Sequence, residues 1–302
     1  MKLGFKRLLA VVAGVACATL GWSMSASAES PQGMRLYAFS SGFLNLDKAF
    51  LQNGAKHEML MWPVGFFLIH HPKGNILFDT GNNDKVLTDP TYWGPMAAML
   101  SDPNLSRSPD LAIDKQLEKA GFKPSDINYL VVGHMHLDHA GNISKFPNAT
   151  LIVQHDEIQT AFWPPPVYNC CYVPGDFAYL RWSPTNPTHQ TPKVIELKGD
   201  LDLFGDGSVF IHRQPGHTPG SQMMVVRLPK TGAVVLTSDN CYMPENLDKD
   251  LLPSVALAYD PAGMLRAYQW IKHLRDVEGA KVFMAHDIEG WKTRKHSPEY
   301  YE

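Results

Sequence analysis

Between residues 34 and 79 apolar positions come in short runs broken by polar turns. Met34 to Ser40, Gly65 to His70 and Asn75 to Asp79 read as strands, the last two joined as a hairpin across His71-Pro72-Lys73-Gly74. The pattern then changes period. From Asp110 to Gly121 the apolar residues Leu111, Ile113, Leu117 and Ala120 predict a helix that Gly121 ends. Short apolar or β-branched runs follow at Tyr129 to Val132, Thr150 to Gln154, Val209 to Arg213, Met223 to Leu228 and Ala233 to Thr237, each predicted as a strand. A second helix is predicted from Ala262 to Glu278, with Leu265, Tyr268, Ile271 and Leu274 or Arg275 on one face and Gly279 as its stop. A final strand, Lys281 to Ala285, runs into His286. The interval from about residue 162 to 192, WPPPVYNCCYVPGDFAYLRWSPTNPTHQTP, keeps no period and is rich in Pro and aromatics. It is expected either to pack as an irregular loop or to form a wall over an active site.

With 302 residues the chain is long enough to bury a sizeable core. Lys2, Lys6 and Arg7, the apolar stretch from Leu8 to about Leu20 and the small residues Ala26-Ser27-Ala28 predict a secretory signal peptide over residues 1–28. The apolar stretch is short for a membrane anchor, so none is expected. The mature chain is then residues 29–302, in the periplasm or secreted. Removing the signal takes three of the 27 Lys plus Arg and none of the 30 Asp plus Glu, which moves the net charge from −3 to about −6. That balance argues against a nucleic-acid partner. Cys170, Cys171 and Cys241 remain, and the adjacent pair reads as ordinary thiols or as one intermolecular bridge.

Candidate chemistry concentrates after the strand at Tyr129 to Val132, in His134-Met135-His136-Leu137-Asp138-His139. A turning segment there lets His134 and His136 face one centre while Asp138 and His139 reach a second. Imidazoles mixed with carboxylates suit zinc and similar first-row metals. Three further candidates, His217, Asp239 and His286, each lie just beyond a predicted strand, so several segments can converge on one rim.

This series, HxHxDH followed by a His, an Asp and a final His, resembles the metallo-β-lactamase superfamily, and the likeness covers nearly the whole mature chain. The resemblance implies an α/β fold, a single-domain, four-layer αβ/βα sandwich. It implies two divalent metal ions per chain, zinc first, with cobalt, manganese or iron compatible with the same donors. His134, His136 and His217 would hold one, Asp138, His139 and His286 the other, and Asp239 would bridge them. Asp79, in NILFDTG, would support the ligands. Tyr242, three residues beyond Asp239, and the stretches RLYAFSSG, HPKGNILFDTG, HLDHAGN and AHDIEGWKTRKHSPEYYE resemble the quorum-quenching N-acyl-homoserine lactonases. That likeness implies a lactone-opening hydrolase using a metal-bridged hydroxide. Tyr242 would bind the lactone and Asp138 would shuttle a proton, while Leu137 would touch the acyl chain at the mouth. Related lactonases also suggest a homodimer. The alternative with the same metals is an organophosphate or aryl ester hydrolase, or a glyoxalase-II-like thioesterase.

Overall fold

The computed structural model describes residues 30–166, 168–181 and 193–302. The expected signal peptide and the end of the Pro-rich interval lie outside the described residues. One sheet holds β1 (Arg35–Asp47), β2 (Met59–His70), β3 (Asn75–Phe78), β4 (Ile127–Val131), β5 (Thr150–Gln154) and β6 (Lys193–Leu197), in that order. The other holds β7 (Leu201–Asp202), β8 (Val209–Arg213), β9 (Gln222–Leu228), β10 (Gly232–Leu236) and β11 (Lys281–Phe283), ordered β11-β10-β9-β8-β7. Around them lie α1 (Lys48–Leu51), α2 (Pro103–Ser106), α3 (Ile113–Lys119), α4 (His155–Phe162), α5 (Pro174–Phe177), α6 (Pro244–Lys249), α7 (Pro261–Asp276) and α8 (Ile288–Thr293).

Strand alternation builds the layers, because successive side chains leave opposite faces of a sheet. Leu36, Ala38, Phe67, Ile69, Ile76 and Phe78 point inward and meet Ile211, Met224, Val226, Val234 and Leu236 of the second sheet. Their neighbours Tyr37, Phe39, Phe66, Leu68 and Leu77 point outward and bury against Ile113 and Leu117 of α3 and Ala161 of α4. On the far side Met264, Ala267, Tyr268 and Ile271 of α7 cover the second sheet. The result is the expected sandwich, helix, sheet, sheet, helix.

Most boundaries shift by one or two residues from the pattern reading, and larger differences occur in β1 and β2, α3 and the buried face of α7. β1 runs to Asp47 and β2 starts at Met59, and the two pair from Arg35↔His70 to Asp47↔Met59 across a bulge between Ser40 and Phe43. Gly42, at φ 120°, absorbs the bulge, and the Ser40 hydroxyl donates to its carbonyl at 2.7 Å. The helix expected from Asp110 splits into a 3-10 turn at Pro109–Leu111 and α3, because Ala112 is extended (ψ 132°). In α7 the buried face contains Met264 and Ala267, while Leu265 is exposed. The strands β6 and β7 and the short helices α1, α2, α4, α5, α6 and α8 have no counterpart in the pattern reading, and α5 lies inside the interval expected to be irregular.

Parallel neighbours bring chain segments to one rim. β3 and β4 run parallel, so Asp79 and the Gly133–His139 stretch leave the sheet side by side. β10 and β11 do the same for Asp239 and His286. Backbone bonds join the two sheets there: Gly65 N donates to Ala285 O at 3.0 Å, and Gln222 N donates to Gly133 O at 2.8 Å.

Candidate metal centre

All seven predicted ligands converge on this rim, and all are buried. His217 Nε2 lies 3.1 Å from His134 Nε2 and 3.0 Å from His136 Nδ1. Asp239 reaches both sides: Oδ2 is 3.5 Å from His217 Nε2 and 3.9 Å from His134 Nε2, while Oδ1 is 3.1 Å from His139 Nε2 and 3.2 Å from His286 Nε2. Asp138 Oδ2 is 3.4 Å from His286 Nε2 and 3.7 Å from His139 Nε2.

The tautomers are held from behind. His217 Nδ1 lies 2.7 Å from Leu257 O, His286 Nδ1 2.8 Å from Pro63 O, and His139 Nδ1 2.9 Å from Asp79 Oδ2. With the ring proton donated there, each Nε2 is left as a lone pair facing the centre. Burial, reinforced by the neighbouring imidazoles, holds His134 and His136 well below the usual histidine pKa. Burial also lowers His217, against the pull of Asp239. Three neutral imidazoles with converging lone pairs repel one another unless a cation lies between them. In the second nest burial again opposes protonation, but the charges of Asp239 and Asp138 outweigh it and raise His139 and His286. Positive charge is therefore favoured among these carboxylates. His139 Nε2 and Asp239 Oδ1 are both buried without a hydrogen-bond partner among the described residues. These donors fit divalent metal ions, which satisfy orphaned lone pairs and carboxylate charge together.

Backbone strain marks the same rim. Asp79 and Ser238 sit at φ 60° and 46°, a left-handed conformation that non-glycine residues rarely adopt. Asp79 accepts from Gly133 N at 2.6 Å and from the Ser238 hydroxyl at 3.1 Å, besides holding His139. Ser238 was not legible as a site residue in the sequence, although its hydroxyl also lies 3.2 Å from His139 Nδ1. Glu157 was missed as well. Fully buried on α4, it accepts from Met135 N (2.8 Å), the Tyr172 hydroxyl (3.1 Å), the Thr218 hydroxyl (2.6 Å) and Gly220 N (3.2 Å), so it ties the His134–His139 loop to the His217 loop. A lone Glu in a helical stretch carries no signal of this.

A chamber of about 430 Å³ opens over the centre, within the range of small-molecule sites. Its floor contains His136, Asp138, Asp239, Tyr242 and His286, and its walls are Leu46, Phe50, Met59, Pro95, Met96, Met99 and Leu257. Tyr242 is buried with its hydroxyl 3.0 Å from His217 Nδ1, and burial, with the Asp239 charge, raises its pKa well above the ordinary value. It stays protonated and able to donate. Leu137 lines the chamber too, but buried against Leu44, Val64 and Trp93 rather than at the mouth. Of the Pro-rich interval, Cys170 and Cys171 contribute to the wall, and the Tyr172 ring packs on His136 with centroids 4.6 Å apart.

A family model for the metallo-beta-lactamase superfamily matches residues 63–286. The chain belongs to this superfamily. Within the superfamily it is 36% identical over 276 residues to the N-acyl homoserine lactonase AttM of Azorhizobium caulinodans, covering 89% of this chain and 99% of the relative. It is 28% identical over 273 residues to the N-acyl homoserine lactonase AiiA of Bacillus thuringiensis subsp. kurstaki, covering 88% and 98%. Among solved structures, an N-acyl homoserine lactone hydrolase with N-hexanoyl-L-homoserine bound at its catalytic metal centre superposes with a TM-score of 0.71 at 26% identity, over 88% of this chain and 98% of that one. The dizinc quorum-quenching lactonase AidC shares the fold at a TM-score of 0.61 and 17% identity, over 89% and 93%.

Proposed function

We propose that the chain is an exported dinuclear zinc hydrolase that opens the lactone ring of N-acyl-homoserine lactones and so degrades quorum-sensing signals. The observation that carries this reading is the junction of two donor nests with an apolar chamber at Tyr242. The likeness to AttM along almost the full length of both chains supports it. His134, His136 and His217 would hold one ion, Asp138, His139 and His286 the other, with Asp239 between. Bound there, the pair would supply Lewis acidity toward the lactone carbonyl and lower the pKa of the attacking water.

The chain's own groups do the rest. The Tyr242 hydroxyl donates to the carbonyl oxygen as charge develops on it. Asp138, beside His286, passes the proton of the attacking water to the ring oxygen as the acyl carbon–oxygen bond breaks. Water has then added across that bond, giving the ring-opened N-acyl-homoserine. Met59, Met96, Met99 and Phe50 pack the acyl chain, and thioether side chains adapt to different chain lengths. Export rests on the basic, apolar and Ala-Ser-Ala succession of residues 1–28.

The test is turnover of a homoserine lactone, paraoxon and S-lactoylglutathione side by side on metal-quantified protein. The lactone is expected to react far faster. Rapid paraoxon turnover with the lactone untouched would replace this reading with the organophosphate hydrolase.

A further inference from the structure

The chamber wall carries two thiols that lactone hydrolysis does not use. Consecutive side chains of an extended segment point to opposite faces. Cys170 and Cys171 instead occupy a turn, and their sulfurs lie 2.7 Å apart. The turn is anchored to the metal-binding loop: Leu137 N donates to Cys171 O at 2.9 Å, and Tyr172 is held by its hydroxyl to Glu157 and by its ring on His136. Cys170 is exposed and Cys171 half-buried. Cys241 is sealed in the core, its thiol donating to Met243 O, so it is out of reach of solvent.

We propose that Cys170 and Cys171 form a thiol–disulfide exchange site in the chamber wall, whose closure restricts the space open to long acyl chains. The co-reactant is a small disulfide of the oxidised-glutathione class. The exposed Cys170 thiolate attacks one sulfur of that disulfide and the other leaves as a thiolate. Cys171, deprotonated, then attacks the Cys170 sulfur and expels the second thiolate. Two protons and two electrons pass from the cysteine pair to the small disulfide, which leaves as two thiols. A ring closed between adjacent residues is strained, so a reductant reopens it. Closure stiffens the turn that holds Leu137, so the wall no longer yields around a long chain. Only this effect on turnover rests on the lactonase reading, because the exchange itself is read by mass.

The experiment treats the metal-loaded protein with oxidised glutathione and follows intact mass, peptide mapping and turnover. The expected product has lost the mass of two hydrogens, with the link mapped to Cys170–Cys171 and reversed by a phosphine. Cys171→Ser is expected to keep one glutathione on Cys170, whereas Cys170→Ser stays unmodified. KM for a long-chain homoserine lactone should rise several-fold, with little change for a short-chain one and none in the doubly substituted protein. An unchanged mass, a link through Cys241, or equal labelling of the two single variants overturns the exchange site. A mapped Cys170–Cys171 link with identical long-chain KM overturns its coupling to the chamber. Absence of any lactone turnover in the untreated protein, with the link formed, sinks the lactonase reading and the coupling that rests on it, and leaves the exchange chemistry established.

Discussion

Asp239 turns one carboxylate oxygen toward His134 and His217 and the other toward His139 and His286. That places one carboxylate between the two nests. Asp239→Asn keeps the shape and one ligating oxygen but replaces the other by an amide nitrogen with no lone pair free for a metal, and removes the charge, so metal per chain is expected to fall and lactone turnover to be nearly abolished. Full metal content measured on the variant would contradict the bridging role. Tyr242 tests the chemistry apart from the metals. Tyr242→Phe removes a donor worth roughly 3 kcal/mol at a developing oxyanion, so kcat should fall about 10²-fold with metal content unchanged. Equal kcat in variant and parent would remove the hydroxyl from the mechanism. The candidate ligands were legible in the sequence because metal chemistry restricts the residue types and crowds them after strands. Ser238 and Glu157 were not, because a hydroxyl or carboxylate that braces a ligand is recognised only by what it touches in three dimensions.

The elements that place these residues show the same division. β5 and β8 match their pattern reading end to end, since short apolar runs between turn residues admit little else. The extended hairpin of β1 and β2 was only half visible, because the Gly42 bulge breaks the alternation and Pro63 interrupts β2. The segment Pro90–Leu100, source of Met96 and Met99, winds as 3-10 turns broken at Gly94 and has no sequence period to read. It is tied to α5 through Asp176, whose Oδ1 accepts from the Tyr92 hydroxyl at 2.8 Å and from Asn83 Nδ2 at 2.7 Å. Burial raises the Asp176 carboxyl to about 7, although those two bonds pull the other way, and its Oδ2 has no partner among the described residues. A carboxyl that holds its proton more tightly when folded contributes stability fully below the ordinary carboxyl range near 4. That contribution drains away as pH rises through about 7. The unfolding midpoint of the metal-loaded protein is therefore expected to drop between about pH 5.5 and about pH 8.5, by up to a few kcal/mol in stability. Asp176→Asn, which keeps the Oδ1 acceptor and cannot ionise, should flatten that slope. An equal slope in both proteins would assign the pH dependence to other groups.

For the molecule as a whole, the donors belong to segments that follow β4, β8, β10 and β11, so they tie one sheet to the other at a single rim. Elsewhere the sheets are joined by apolar packing, with Phe67, Ile76 and Phe78 against Met224, Val234 and Leu236. That packing needs no metal, so the sandwich should persist when the ions are stripped. The rim should not hold equally well, because stripping leaves converging imidazole lone pairs and buried carboxylates uncompensated. Ions that bind the folded chain in preference to the unfolded one raise its stability by linkage. Chelation is therefore expected to lower the thermal midpoint by on the order of 10 °C while the far-ultraviolet circular dichroism is retained, and added zinc should restore the midpoint. The drop should be smaller for Asp239→Asn, which begins with fewer ions. A midpoint that stays in place after metal analysis confirms removal would mean that the rim is held without the ions, by its backbone bonds at Gly65 and Gln222 and by the side-chain bonds of Glu157, Asp79 and Ser238. Loss of the dichroism signal together with the metal would mean that the sheets depend on the ions for their packing as well.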